Sequence, residues 1–287
     1  MKICVIGGAN VDISARTAGL FVAGDSNPGT VNIAPGGVGR NIAHNLKLLG
    51  DKVRLITVFG DDGFGRMLRD HCKSIGLDIS LSETVPGARN ACFVSLNASD
   101  GELLGGVSDM AVTGLMTPEW LEARLDEINK ADAVVADTNL PAPTLGLLVG
   151  CCEPPLYIDA VSSAKVPRLK EALSAIRRPG AGMVSVKCNR LEAEVLSNSG
   201  ISGIDRLYVS LGSEGMEIHE GGEVTSVPPI PVTGIANTTG AGDALLAGIV
   251  HCGPDAPALE AADFAQKCAR LALMSTSAVS DRMRDLA

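Results

Sequence analysis

The segment Asn237-Thr238-Thr239-Gly240-Ala241-Gly242-Asp243 runs straight into the apolar stretch Ala244-Leu245-Leu246-Ala247-Gly248-Ile249-Val250. This pattern predicts a small-residue turn that opens a helix, with one carboxylate in the helix's first turn. Glycines at 240 and 242 let backbone N–H groups approach an anion without side-chain interference. The helix start adds unpaired donors and the positive end of its dipole. An acid placed there repels a phosphate. It serves either to complement the helix dipole or to take a proton from a nucleophile attacking that phosphate. Local chemistry leaves both readings open.

Four further segments pair small residues with polar ones. Gly7-Gly8-Ala9-Asn10-Val11-Asp12 ends an apolar strand. It lacks the G-x-G-x-x-G spacing and no helix follows at once, which argues against a dinucleotide site. Pro35-Gly36-Gly37-Val38-Gly39-Arg40-Asn41 opens a helix through glycines that permit close backbone approach. Lys187-Cys188-Asn189-Arg190-Leu191-Glu192 follows a strand. Its Asn-x-x-Glu is a capping box, a pair able to hold magnesium through water, or both. Tyr208-Val209-Ser210-Leu211-Gly212-Ser213-Glu214-Gly215 reads as a strand ending in a glycine-rich turn.

The Gly-Gly turn at 36–37 and the Gly-Ala-Gly-Asp turn about 200 residues later resemble the two signatures of the ribokinase-like (PfkB) carbohydrate and nucleoside kinases, in the same order. The resemblance covers nearly the whole chain. It implies ATP-dependent phosphorylation of a hydroxymethyl group on a sugar or nucleoside. Asp243 would be the catalytic base, and the N–H groups of Gly240, Ala241 and Gly242 the anion hole. Asn10, Asp12, Gly36, Gly37, Asn41 and Asp243 would bind the acceptor, with Asp12 accepting from ribose hydroxyls. ATP would fall to Lys187, Asn189, Ser210, Gly212, Gly215, Thr239, Gly240 and Gly242. Asn189 and Glu192 would hold Mg2+ through water. The family usually has Asp where this chain has Asn237, beside a K+ site; losing that charge should weaken K+ binding or shift it onto carbonyls.

Within the family, Ser26-Asn27-Pro28-Gly29, Asp109-Met110, Asp137-Thr138-Asn139-Leu140 and the stretch from Asp159 to Lys165 resemble the pseudouridine kinases. This implies a nucleoside 5′-hydroxyl as acceptor, pseudouridine first, with Ser26 and Asn27 facing the base. Alternatives are kinases for ribose, adenosine or fructose, and a non-catalytic nucleoside-binding sensor.

The elements that position these residues follow from patterning. With 287 residues, 46% of them hydrophobic, and a mean hydropathy of +0.23, the chain can bury a large core. Aromatics supply only 3%, so Val, Ile, Leu, Ala and Met must build that core. A net charge of −9 disfavours nucleic acid as a partner but does not bar a single nucleotide. Neither a signal peptide nor a membrane-crossing stretch is visible, and eight cysteines without a C-x-x-C pair suggest a reducing cytoplasm. Apolar runs at 2–7, 53–59, 133–136, 156–159, 183–186 and 207–211 predict buried strands. Helices are expected at about 38–49, 63–75, 117–129, 142–151, 165–177, 190–198, 241–252 and 257–276. The alternation gives an α/β fold, a mostly parallel sheet with helices on both faces. The resemblance makes this the ribokinase-like three-layer α/β/α fold, one domain over 1–287 with a small β-lid from about 13–34 and 88–108. The sequence leaves a homodimer open.

Overall fold

Apolar runs whose residues point alternately to opposite faces become the central strands of a computed structural model that describes residues 1–197 and 202–287. The strands are β1 (Lys2–Ile6), β2 (Asn10–Thr17), β3 (Gly29–Gly36), β4 (Lys52–Ile56), β5 (Val58–Gly60), β6 (Glu83–Val85), β7 (Cys92–Asn97), β8 (Leu103–Asp109), β9 (Ala133–Asp137), β10 (Leu156–Asp159), β11 (Val184–Asn189), β12 (Arg206–Ser210), β13 (Met216–Glu220) and β14 (Glu223–Val227). The helices are α1 (Val38–Leu48), α2 (Gly63–Ser74), α3 (Pro118–Glu122), α4 (Leu125–Ile128), α5 (Ala142–Cys151), α6 (Val166–Leu173), α7 (Arg190–Ser197), α8 (Ala241–Cys252) and α9 (Ala258–Leu273). The final residue of the helix expected at 190–198 lies outside the described residues.

The main sheet has eight strands in the order β14-β13-β12-β11-β10-β9-β1-β4. Pairing is parallel from β4 through β12 and antiparallel for the β12–β13–β14 edge. Strand alternation splits the interior in two. Cys4, Ile6, Val134 and Ala136 pack with Leu145, Leu148 and Leu169 of α5 and α6. Ile3, Val5, Ala133 and Val135 pack with Ile42, Leu46, Leu246 and Ile249 of α1 and α8. That is the expected three-layer arrangement. The chain moves one way from β1 to β4 and the other way from β9 to β12. A crevice therefore opens where β1 and β9 lie side by side, at their C-terminal ends.

The stretches 13–34 and 88–108 supply most of a second sheet, ordered β3-β2-β7-β8, although β2 begins at Asn10 and β3 ends at Gly36. The register puts Ile33, Ile13, Val94 and Val107 in one cross-strand row on one face, and Asp12 with Phe93 on the other. Asn90 fastens the root of this sheet to the body: its Oδ1 accepts from Gly60 N at 2.9 Å and its own N–H reaches Asp62 at 3.0 Å.

Three elements differ from expectation. The single strand expected at 53–59 is divided at Thr57 into β4, in the main sheet, and β5, which leaves that sheet to pair with β6. The helix expected at 117–129 is two short ones, α3 and α4, interrupted at Ala123–Arg124. Thr117 caps the first and Pro118 opens it, as the sequence indicates. Arg124 donates to the carbonyls of Trp120 and Leu81 at 2.6 and 2.8 Å and lies over the Trp120 ring. The edge hairpin β13–β14 was not anticipated. Its signal was Gly221-Gly222 between alternating residues; both glycines have positive φ, 60° and 86°, as a tight hairpin turn requires.

Candidate active site

The C-terminal ends of the parallel strands carry the polar residues together. Gly7 and Gly8 follow β1, Asp137 ends β9, Asp159 ends β10, Asn189 ends β11 and Ser210 ends β12. Facing them is the start of α8. Gly240 precedes that helix with φ +84°, and a Cβ on it would stand 1.9 Å from the Ala278 carbonyl oxygen. Only glycine fits there. No side chain caps α8, and the Ala241 N–H makes only a long 3.5 Å contact with the Thr238 carbonyl, so this helix start has N–H donors to spare. A Cβ on Gly242 would meet the Lys187 ammonium at 2.5 Å, so a cation already stands beside the turn. Thr239 continues the turn, its N–H donating to Asn237 Oδ1 at 3.0 Å.

Asp243 sits in the first turn of α8, buried. Burial is the main reason its carboxyl is pushed up to about 7, and the Asp159 charge adds to it; the Asn41 hydrogen bond and the cations Lys187 and Arg40 hold it back. Asn41 Nδ2 donates to Asp243 Oδ2 at 2.7 Å, and Asn41 Oδ1 accepts from the Arg40 guanidinium. Arg40 also donates to the carbonyls of Gly36 and Pro35, at 3.1 and 2.7 Å. One buried arginine thus ties the glycine turn before α1 to the amide that holds the acid.

Lys187 is buried and donates to Asp159 Oδ2 at 3.2 Å. Burial works against its charge, but Asp159, Asp243 and Glu192 outweigh that and raise its pKa. Asp12 lies across the crevice and accepts from Asn10 Nδ2 at 2.6 Å. Burial raises its pKa, against the Asn10 hydrogen bond and the Arg40 charge. A Cβ on Gly36 would lie 2.1 Å from Asp12 Oδ2, and Gly37 holds φ +98° with its backbone against Gly8.

Sequence reasoning gave no role to Asp137, which joins the two halves of this crevice. Its Oδ2 accepts from Gly8 N at 2.9 Å and Gly39 N at 2.8 Å; its Oδ1 accepts from Asn139 N at 2.8 Å. The carboxylate clamps the β1–β2 turn onto the first turn of α1. Its short Asp-Thr-Asn setting was visible in the sequence, but nothing local marks which backbone amides it would reach.

Asn10, Asp12, Gly36, Gly37, Asn41 and Asp243 therefore share the crevice, with Gly240, Ala241, Gly242 and Lys187 beside them. Asn189 and Glu192 form a reciprocal capping box: Asn189 N and Nδ2 donate to the Glu192 carboxylate at 2.8 Å each, and Glu192 N donates to Asn189 Oδ1 at 2.9 Å. Among the described residues no three His, Cys, Asp or Glu side chains gather as a metal cage. Ser210 donates to the Cys188 carbonyl at 3.3 Å, and Gly212 has open space around it. Gly215 is a hairpin residue, its α-carbon packed against Val227. Ser26 and Asn27 stand apart, in the exposed turn at the outer end of the β2–β3 hairpin. Asn27 spends its amide locally, on Val22 N and O and on Asp25 O.

The pfkB carbohydrate kinase family model matches residues 1–284 of the chain. The chain is similar to pseudouridine kinase of Escherichia coli, 34% identical with 94% of this chain and 90% of that one covered. Ribokinase of Bacillus subtilis is 24% identical over 96% of this chain and 94% of its own. Among solved structures, a carbohydrate kinase from Agrobacterium tumefaciens superposes with a TM-score of 0.81 at 28% identity, covering 99% of this chain and 95% of that one. The fold is ribokinase-like. No helix among the described residues is long and apolar enough to cross a membrane. With the family match running almost end to end over this crevice of acid, amides and cation, the chain belongs to the pfkB family of carbohydrate kinases and is a phosphotransferase that acts on an alcohol group.

Proposed function

We propose that this kinase transfers the terminal phosphoryl group of ATP to the 5′-hydroxyl of a nucleoside, pseudouridine before others. The observation that carries the transfer chemistry is a buried carboxyl raised to about 7 in the first turn of an uncapped helix, 2.7 Å from an orienting amide. A carboxylate in that range is a base suited to neutral pH. The similarity to pseudouridine kinase of Escherichia coli supports the acceptor.

The acceptor ribose would lie between Asp12 and Asn41, its diol on the Asp12 carboxylate, which leaves the 5′-hydroxyl at Asp243. Asp243 takes the hydroxyl proton as the oxygen attacks. The N–H groups at 240–242 and the Lys187 ammonium stabilise charge on the transferring group, with Asp159 fixing the lysine. Ser210, Gly212 and Gly215 would line the path of the rest of the nucleotide. Asn189 and Glu192 would hold Mg2+ through water, which fits an ion that keeps its waters and binds phosphate oxygens. When bound, that ion neutralises charge on the triphosphate. The sheet β3-β2-β7-β8 would act as a lid that sheds water from the crevice, with the outer turn that carries Ser26 and Asn27 closing over the acceptor side.

A panel of pseudouridine, uridine, cytidine, adenosine, ribose and fructose, read by coupled ADP release, tests this. Pseudouridine should give the highest kcat/KM. Preference for ribose or fructose would leave the kinase and remove the nucleoside; no turnover with any acceptor would favour a sensor.

A further inference from the structure

A second recess opens where the root of the β3-β2-β7-β8 sheet meets the loops after β9 and β10. It encloses about 580 Å³. Met110, which directly follows β8, forms one wall, and Pro141 with Pro143 forms another. Its polar lining is Asn139, Lys165, Arg168 and Glu171, with Thr113, whose hydroxyl donates to the Met110 carbonyl. Lys165 donates to Asn139 Oδ1, and Arg168 Nη1 donates to the carbonyls of Thr138 and Asn139 at 3.3 and 3.5 Å. Lys165 thus spends one donor and Arg168 one nitrogen on neutral oxygens, and both keep further donors for a ligand. Such a pair is conspicuous in a chain of net charge −9.

The recess is joined to the acceptor side of the crevice. Asn139 Nδ2 lies 2.9 Å from where a Cβ on Gly8 would stand, and Gly8 is the turn that leads into Asn10 and Asp12. Anything attached to a sugar held at Asp12 has this space beside it.

We infer that the recess lined by Lys165, Arg168 and Asn139 receives the base of the acceptor and selects a pyrimidine dione. This rests on the nucleoside reading above. A dione presents two carbonyl oxygens flanking a ring N–H. Lys165 and Arg168 donate to the carbonyls, Glu171 accepts from the N–H, and Met110 with the prolines sandwiches the flat ring. Cytosine keeps one carbonyl but turns its amino group toward a cation and a bare ring nitrogen toward the Glu171 carboxylate, and adenine offers no carbonyl to either cation; a site of this kind rejects both. Because Met110 follows β8 directly, a seated base also touches the root of the lid sheet.

Steady-state kinetics of Lys165→Met and Arg168→Met test the assignment. For each, KM for pseudouridine and uridine should rise about tenfold or more, the loss expected for a charge-assisted hydrogen bond. KM for ATP, kinetics with ribose and the melting temperature should stay unchanged, and discrimination against cytidine should shrink. An unchanged nucleoside KM in both variants would overturn the inference and leave the nucleoside reading standing. A rise in KM for ATP would place Lys165 on the phosphates and overturn it too. A wild-type enzyme that phosphorylates no nucleoside would remove both together.

Discussion

Asp243 carries opposite demands on rate and on stability. As the base of the proposed reaction, its carboxyl must be ionised to accept a proton, so kcat/KM should climb with unit slope as pH rises to about 7 and level off above. Asp243→Asn should lower kcat by about 10²–10⁴-fold while ATP binding by calorimetry persists. The same substitution should stabilise the fold. A carboxyl that titrates near 3.8 unfolded and about 7 folded contributes stability below 3.8 that is lost as pH rises through 7. Asp243→Asn should therefore stabilise the fold at pH 8 by on the order of a few kcal/mol, read as a higher melting temperature, with the gain fading toward pH 4. Asn237 is the residue-scale departure from the family pattern. Its Oδ1 accepts from the Thr239 N–H at 3.0 Å and orders the turn without a formal charge. Replacing K+ by Na+ in the assay should change the rate by less than about twofold.

At the scale of elements, the Asp137 clamp decides whether the β1–β2 turn and the start of α1 stay together. Asp137→Ala frees two backbone amides at 2.9 and 2.8 Å and a third at Asn139. We expect a loss of about 3 kcal/mol in urea melts, together with a larger rise in KM for the acceptor than for ATP. The central strands were readable because β1, β9 and β10 are short, mostly apolar runs and β4, β11 and β12 keep apolar residues at most positions, broken by Arg54 in β4 and by Ser185 and Lys187 in β11. The β13–β14 hairpin was not. Its Met-Glu-Ile-His-Glu strand alternates with charge at an open edge, where propensity is weak. The expected 117–129 helix kept its cap but is broken at Ala123–Arg124, where the arginine donates to the carbonyls of Trp120 in α3 and of Leu81 on a neighbouring loop. The site was readable in part for a related reason. Glycines and Asp243 announce themselves by local spacing, whereas Asp137 and Asp159 acquire their roles from partners far along the chain, and Arg40 acquires its own through Asn41, whose partner Asp243 lies 202 residues on.

Over the whole molecule, both ends of the sequence converge on α8. Met283 is fully buried with Leu48 and Leu49 at the end of α1, and with Ala244, the residue after Asp243. Met283→Ala should cost about 2–5 kcal/mol, seen as a lower denaturation midpoint, and should raise KM for ATP by loosening the start of α8. Gly240 rests on the carbonyl of Ala278, and the N–H groups of Ala236 and Asn237 donate to Leu273 O at 2.8 and 3.3 Å. The floor under the turn at 240–242 is thus laid by residues that follow it by nearly forty positions. A nascent chain can complete its parallel strands on the ribosome, yet the turn proposed to hold the phosphate is not finished until this late stretch has been made. Synthesis itself thereby delays the moment at which the enzyme can first spend a nucleotide.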